Sequence, residues 1–447
     1  MALGGGTFTV QNKVLPGSYI NFFSIAAASA SISDRGIATI PLALDWGKED
    51  EVITVTNEDF QKNSQKIFGY AYTDNEMKGL RDLFMNIKTL YTYRLNGGGV
   101  RAANDYATAK YSGTRGNSLK IAIAANVDNT SAWDVTTYLG TDKVDVQTVT
   151  AVNQLVANDY VKWKNFTLAT VAGSALTGGT NGTLTNAAYQ SYLDKIESYR
   201  YNTMGVITLD NTVKSLFAAF NKRLRDDIGI KFQLVVYNYT NPDYMGVISV
   251  KNKCLDGAYM SDGENPAMVY PDEAAGVYWV LGAEAGCAVN ASVQNRTYNG
   301  EFDIDVDYTQ AQLIAAIQAG EFVFHRVDDT INVLEDINTM VTTTDTVGDV
   351  FKDNQTIRVI DELANSDAQV FNKKYLGKVP NDDAGRSALW SDLVKIRKQL
   401  EKIRAIENFN EMDVKVAQGD TKKSVVVDDA ITVVNAMSKM YMTTTIA

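Results

Sequence analysis

Residues 204–237 read MGVITLDNTVKSLFAAFNKRLRDDIGIKFQLVVY, an apolar run, an amphipathic segment and a second apolar run. Met204–Leu209 predicts a buried strand, and Asp210 is placed to cap a helix that continues to Arg225. Lys231–Tyr237 predicts the next strand. A strand, a helix and a strand with short joins form a βαβ unit, which usually belongs to a mostly parallel sheet. The stretch therefore predicts an α/β core.

The segments on both sides of this unit extend the same core. Strands are predicted at 37–44, 90–95, 244–250 and 321–327, and helices at 74–88, 185–199 and 309–319. Asp74 is the expected cap of the first of these helices, and Thr309 with Gln312 forms the capping box of the last. We expect one α/β core domain built from residues 18–98 and 183–341.

Residues 99–182 have a different composition, with short β-like runs between Gly, Asn, Thr and Asp and almost no helical periodicity. The runs are Leu119–Ala124, Trp133–Leu139, Val144–Val149 and Lys164–Val171. Glycine-rich joins at 97–99 and 176–182 bracket this block. The pattern predicts a small β-barrel or β-sandwich domain inserted into the core domain.

A polar linker, Thr342–Thr346, leads into a predicted C-terminal α+β domain at 342–424 with two helices. In the second helix one apolar stripe repeats at helical spacing, formed by Leu389, Leu393, Ile396, Leu400 and Ile403. Opposite the stripe lie Lys395, Lys398 and Lys402, flanked by Arg386, Arg397 and Arg404. This local basic face is either an ordinary solvated surface or a docking surface for an acidic partner, because complementary charge orients association.

Both ends of the chain are patterned as strands. Thr7–Asn12 alternates polar and apolar residues within a predicted N-terminal arm at 1–17, and the alternation returns in a C-terminal arm at 425–447. The residues expected to pack between subunits are Phe8, Val10, Val14, Val434, Met440, Met442 and Ile446. An isolated terminal strand is marginal in water and its edge invites pairing with another chain. We therefore predict that both arms are held by neighbouring copies of the chain.

Composition excludes several classes of protein. A length of 447 residues suggests two to four domains, and 45% hydrophobic with 21% charged residues is ordinary globular composition. A net charge of −11 argues against nucleic-acid binding, which needs a basic surface. No apolar run approaches the roughly 20 residues that span a bilayer, so membrane insertion is not expected. Neither a secretory signal nor a disulfide framework is visible, so folding in the cytoplasm is expected.

The sequence offers little catalytic chemistry. His325 is the only histidine, and its alternation with Val323 and Val327 favours a hydrogen-bonded structural role on a strand. A nucleophilic pair of His325 with Cys254 or Cys287 remains an alternative. No Walker motif and no zinc-ligand spacing is present, so we expect no enzyme activity, no cofactor and no metal.

One acidic motif imitates a calcium loop. Asp303, Asp305 and Asp307 have the right spacing, but Tyr308 and Ile314 replace the required Gly and Glu. An amphipathic strand with a solvated acidic face is the favoured interpretation.

With these pieces placed, the chain resembles the contractile-tail sheath proteins of contractile-tailed phages and phage-tail-like bacteriocins, in particular those of Gram-positive hosts. The resemblance spans essentially the whole chain. It depends on the order of five short motifs, Leu15–Ile20, Ala109–Asn117, Leu176–Gly179, Gly282–Gly286 and Ile331–Thr339, together with the two arms.

The resemblance implies sixfold rings of subunits stacked helically around an inner tail tube protein, with baseplate and tail terminator proteins at the ends. It implies that both arms add strands to neighbouring C-terminal domains, and that Lys395, Lys398 and Lys402 face the tube. It further implies contraction from a metastable extended state, which drives the tube through a target envelope. The particle is expected to assemble in the bacterial cytoplasm. Whether it carries a genome is left open.

Two other functions remain open at this stage. A capsid or surface-layer component shares the acidic composition with little catalytic chemistry, and an α/β hydrolase would need His325 beside a cysteine.

Overall fold

The structure is a computed structural model, and it describes residues 35–256 and 272–446. The predicted N-terminal arm, with Phe8, Val10 and Val14, lies outside the described residues.

The described residues form secondary structure in four successive regions. The first contains β1 (Ile37–Leu42), β2 (Val52–Thr56), α1 (Asn57–Phe68), α2 (Lys78–Phe84) and β3 (Thr89–Arg94). The second contains β4 (Ala107–Ala109), β5 (Leu119–Ala125), β6 (Trp133–Leu139), β7 (Asp142–Val149), β8 (Val161–Trp163) and β9 (Val171–Ala175).

The third region contains α3 (Asn186–Ile196), β10 (Thr203–Gly205), α4 (Asn211–Arg223), β11 (Gln233–Tyr237), β12 (Val247–Val250), α5 (Gly276–Gly286), α6 (Gln310–Gln318), β13 (Glu321–Phe322), β14 (Phe324–Val327) and β15 (Thr330–Val333). The fourth contains α7 (Asn354–Val370), α8 (Asp383–Lys402), β16 (Ile406–Glu407), β17 (Lys415–Gln418), β18 (Val425–Asp428) and β19 (Thr432–Val433). None of the helices within 35–256 and 272–446 is long and apolar enough to cross a membrane.

A mostly parallel sheet forms the centre of the molecule. Within the described chain it has seven strands in the order β13-β12-β11-β10-β1-β3-β2, and β2 alone runs antiparallel to its neighbour. One face packs against α1, α2 and α5, and the other against α3 and α4. Side chains of a strand alternate between the two faces of the sheet. On β1, Ile40 packs into the apolar core beneath α1, α2 and α5, whereas the hydroxyl of Thr39 hydrogen-bonds the hydroxyl of Tyr192 of α3 on the other face. The predicted α/β core is confirmed.

The inserted β domain is also present. An antiparallel sheet, β7-β6-β5-β9, and the short pair β4-β8 enclose their own apolar core. The two connections lie side by side, since the amide of Gly182 donates to the carbonyl of Asn96 at 3.0 Å. Trp46 of the central region is buried in the apolar core of the insertion, and the buried Arg94 donates to the carbonyl of Ser112. The inserted domain is therefore held to the core domain by side-chain contacts as well as by its two chain connections.

The C-terminal region combines two helices with small sheets. In α8 the predicted stripe is buried at Leu389, Leu393, Ile396 and Leu400 and packs against α7 and the small sheets. The sheets are the two antiparallel pairs β16-β19 and β17-β18. This arrangement agrees with the predicted α+β domain.

One helix was not predicted, and two local predictions were wrong. Residues 57–68 form α1, whose capping box of Thr56 with Asp59 is visible in the sequence. Asp74 makes no side-chain cap; its carboxylate accepts from the amide of Ala71, and a 3₁₀ turn precedes α2. Residues 164–170, predicted as strand, form no regular structure between β8 and β9.

Close packing between the end of α5 and the segment that follows α2 predicts a large effect for one glycine. A Cβ on Gly286 would lie 1.9 Å from the carbonyl oxygen of Asn86, so Gly286→Ala must push the backbones apart. Overpacking of this kind costs about 1–3 kcal/mol. We expect urea denaturation to show that loss. Gly348→Ala is the matched control, because its Cβ would meet nothing within 4 Å, and equal stability of the two variants would contradict the prediction.

Candidate functional site: the C-terminal arm and the basic helix face

The root of the C-terminal arm is bound to its own subunit. Strand β19 pairs with β16, and the amide of Val434 then donates to the carbonyl of Ala405 at 3.0 Å. Gln355 at the start of α7 binds the following residues of the arm. Its amide nitrogen donates to the carbonyl of Val434, and its amide oxygen accepts from the backbone amide of Ala436, both at 3.0 Å. Val434, predicted as an inter-subunit residue, therefore makes intramolecular contacts. The predicted arm at 425–447 is too long, since β18 and β19 pair within the subunit.

Beyond Ala436 the chain leaves the body of the subunit. Residues 437–446 form no regular structure and make no hydrogen bond with the rest of the described chain. Their large apolar side chains point into solvent, with Met440 83%, Met442 76% and Ile446 91% exposed. Tyr441 is likewise exposed at 91%. A contiguous run of exposed apolar side chains marks an interaction site.

The same region carries unpaired strand edges. Each of the pairs β16-β19 and β17-β18 has two strands within the described residues, so both pairs leave backbone groups free to bond a further strand. Strand β18 also exposes Val426 and Val427. Two-stranded ribbons are marginal in water, and added strands would stabilise them. The C-terminal region thus presents both a free strand-like segment and edges that can accept one.

The basic face of α8 is smaller than predicted. Lys395, Lys398 and Lys402 are all exposed on one side of the helix, and Lys398 forms an ion pair with Glu411. Arg397 does not belong to this face. It is buried and bridges Asp367 and Asp429, with nitrogen–oxygen distances of 2.7 Å to each.

The other two predicted flanking arginines differ from one another. Arg386 is partly buried and pairs with Asp383, whereas Arg404 is exposed. What remains is a row of three lysines on the exposed side of α8.

The catalytic candidates His325, Cys254 and Cys287 share no hydrogen bond with one another in the described chain. Cys254 and Cys287 are buried free thiols, and burial raises the pKa of Cys254 to about 12, which keeps the thiol protonated at neutral pH. His325 lies half-buried on β14. Its imidazole makes no hydrogen bond with the described residues, so the prediction of a hydrogen-bonded histidine was wrong. Burial lowers the pKa of His325.

The acidic motif behaves as an amphipathic segment. Phe302, Ile304 and Val306 are buried, while Asp303 and Asp307 are exposed. Within the described ranges, no group of three or more His, Cys, Asp or Glu side chains could hold a metal ion.

Sequence reasoning missed the residues that anchor the arm. Gln355 and Thr356 are buried polar residues in the first turn of α7, and the hydroxyl of Thr356 pairs with the side chain of Asn435. Nothing in the local pattern separates them from solvent-facing residues of a helix N-terminus, because their partners lie some 79 residues further along the chain.

Comparison with known families matches the chain in four consecutive parts. Residues 35–95 match the tail sheath protein Gp18 domain III N-terminal region, and 97–181 match the phage tail sheath protein β-sandwich domain. Residues 182–339 match the phage tail sheath protein central domain, and 346–447 match the phage tail sheath C-terminal domain.

Similar whole proteins are known. The phage-like element PBSX protein XkdK of Bacillus subtilis is 31% identical over 98% of this chain and 99% of its own length. The crystal structure of a sheath tail protein from Desulfitobacterium hafniense is 35% identical, with a TM-score of 0.80 over 95% of this chain and 99% of that one. The anti-feeding prophage helical sheath in its contracted state shares the fold, with a TM-score of 0.54, 15% identity and coverage of 97% and 99%. The chain belongs to the phage tail sheath protein family.

Proposed function

We propose that the chain polymerises around an inner tail tube and that strands contributed by the terminal arms hold neighbouring subunits together. The free segment 437–446 carries this proposal, because it leaves the subunit with its apolar side chains exposed beside open strand edges. Strand addition uses backbone hydrogen bonds for affinity, so it tolerates rotation of the attached domains. The N-terminal arm at 1–17 takes the same role in this proposal.

The role is mechanical rather than catalytic. Subunits assembled in an extended, kinetically trapped sheath rotate into a more extensively packed array when the baseplate releases them. New contacts between subunits supply the free energy, and the arms keep the subunits connected while the tube is driven through a target envelope. In this arrangement the inserted domain at 99–182 lies on the outer surface, and a terminator protein closes the far end. Assembly takes place in the bacterial cytoplasm.

Negative-stain microscopy of the purified protein tests the proposal. Hollow, striated cylinders of constant diameter are expected, without any added protein, because both halves of the contact are present on each subunit. Closed shells or flat lattices would instead indicate a capsid or surface-layer component. Protein that stays monomeric at high concentration would contradict self-assembly through the arms.

We further propose that the lysine row of α8 faces the tube. Lys395→Glu with Lys402→Glu should reduce co-sedimentation of tube with sheath at least tenfold at low salt, since charge complementarity across the contact is reversed. Cylinder formation without tube should persist. Lys143→Glu with Lys162→Glu in the inserted domain is the matched control, as both of these lysines are exposed. Equal tube binding by the two double variants would show that the row is an ordinary solvated surface.

A further inference from the structure

The first turns of α7 contact the root of the C-terminal arm. Gln355 bonds the backbone on both sides of Asn435, and Thr356 bonds the side chain of Asn435. Any pull on residues 437–446 therefore reaches α7 directly. A second route runs through β19 and β16, which pair over two residues on each strand, and through the bond from Val434 to Ala405.

One turn further along α7, Arg358 enters a buried charge cluster. Its guanidinium pairs with Glu284 of α5 and, at 2.7 Å, with Asp336, and it also donates to the carbonyl of Ala291 at 3.0 Å. Asp336 in turn accepts from the side chain of Asn354, the first residue of α7, at 2.9 Å. All three charged side chains are at most 1% exposed. The start of α7 is thus fixed to α5 and to the segment that follows β15.

The cluster also reaches Arg35, the first described residue, which continues toward the predicted N-terminal arm. Arg35 precedes β1, and its guanidinium donates to the carbonyl of Glu284 at 2.9 Å and to the carbonyl of Cys287 at 2.7 Å. The carboxylate of Glu284 therefore accepts from Arg358, and its backbone carbonyl accepts from Arg35. Four residues, Gln355, Arg358, Glu284 and Arg35, connect the root of the C-terminal arm to the first described residue through contacts that are mostly buried.

We infer that this chain of contacts, here named the arm tie, carries tension from one terminal arm to the other across the subunit. The inference rests on the proposed function, in which neighbouring subunits hold both arms. Gln355 and Arg358 are three residues apart, about 4.5 Å along a helix, so the tie is short and stiff. A buried ion cluster gains little net stability over an apolar one, but it fixes the relative positions of the groups that it joins. Without the tie, the load would pass through β1 and the central sheet.

The same helix supplies a matched control. Arg225 makes a buried, two-pronged ion pair with Asp361 of α7, with distances of 2.6 and 2.7 Å. This pair also fixes α7 to the central region, but it lies outside the path from Gln355 to Arg35. Removing the pair shows how far the loss of any buried ion pair of α7 weakens the cylinders.

The experiment compares the force that ruptures single cylinders in optical tweezers. The tie variant is Arg358→Met with Glu284→Gln and Asp336→Asn, which makes these three side chains uncharged, and the control is Arg225→Met with Asp361→Asn. Arg35→Gln is a second tie variant, which removes one link and leaves the buried cluster in place, so it stays informative if the triple variant fails to assemble. We expect cylinders of both tie variants to break at less than half the force that control cylinders withstand.

Two results would overturn the inference in distinguishable ways. If wild-type protein forms no cylinders, the proposed function fails and the tie has no load to carry. If cylinders form and Arg35→Gln cylinders are as strong as control cylinders, the proposed function stands and the arm tie alone is wrong.

Discussion

Deletion of residues 437–447 is expected to abolish cylinder formation and to leave the subunit folded. About five backbone hydrogen bonds at roughly 1 kcal/mol each, with burial of three large side chains at about 2 kcal/mol each, would be lost from every contact. That is roughly 10 kcal/mol, or about seven orders of magnitude in affinity. The stability of the monomer should change by less than about 0.5 kcal/mol, because residues 437–446 make no hydrogen bond with it and are exposed. Size-exclusion chromatography, microscopy and urea denaturation measure these effects.

A side-chain version of this experiment tests strand geometry as well as sequence. Met440 and Met442 lie on the same face of an extended segment, and Thr443 and Thr445 lie on the other. Met440→Asp with Met442→Asp should block polymerisation, whereas Thr443→Asp with Thr445→Asp should allow it. If both double variants assemble equally, the arm does not pack as a strand with one buried face.

Sequence patterns predicted the elements whose signal is local. The βαβ unit at 204–237 appears as β10, α4 and β11, because a strand is apolar along its length and Asp210 caps the helix within one turn. The apolar stripe of α8 was equally visible, since its period is a property of the helix alone. The inserted domain was recognised from its composition, although residues 164–170 look like a strand in the sequence and form no regular structure.

The contacts that organise the candidate site could not be predicted, because they join residues far apart in the chain. Arg397 follows the helical spacing of a basic face, yet Asp367 and Asp429 neutralise it in the interior. Val434 continues the alternation of the arm but is held by Ala405 and Gln355. Spacing gives the direction of a side chain on its own element, whereas burial depends on what packs against that element.

Loss of Arg358 alone is expected to have the largest effect on monomer stability of any substitution considered. Arg358→Leu leaves Glu284 and Asp336 buried without their cation, and breaking a buried pair in this way costs about 3–5 kcal/mol. Urea denaturation of the subunit at neutral pH measures the loss. The triple variant, in which all three of these side chains are uncharged, should recover most of it, because it removes the carboxylates together with the guanidinium.

The pH dependence of the stability lost in Arg358→Leu separates a charge effect from a packing effect. Burial, and then the neighbouring Asp336, raise the pKa of Glu284 well above its usual value, while Arg358 acts in the opposite direction. A carboxyl group with a raised pKa in the folded state costs stability as the pH rises above its pKa in the unfolded chain. Without Arg358 that cost grows, so the deficit of Arg358→Leu should be larger at pH 8 than at pH 5. Cys287 and Arg35 also lie beside Glu284, and neither changes charge between these pH values in this setting. Burial and Asp336 raise the pKa of Asp353 to about 6, and loss of Arg358 raises it further, so Asp353 changes the deficit in the same direction as Glu284. A deficit that is equal at both pH values would show that the lost packing of the Arg358 side chain, rather than its charge, accounts for the destabilisation.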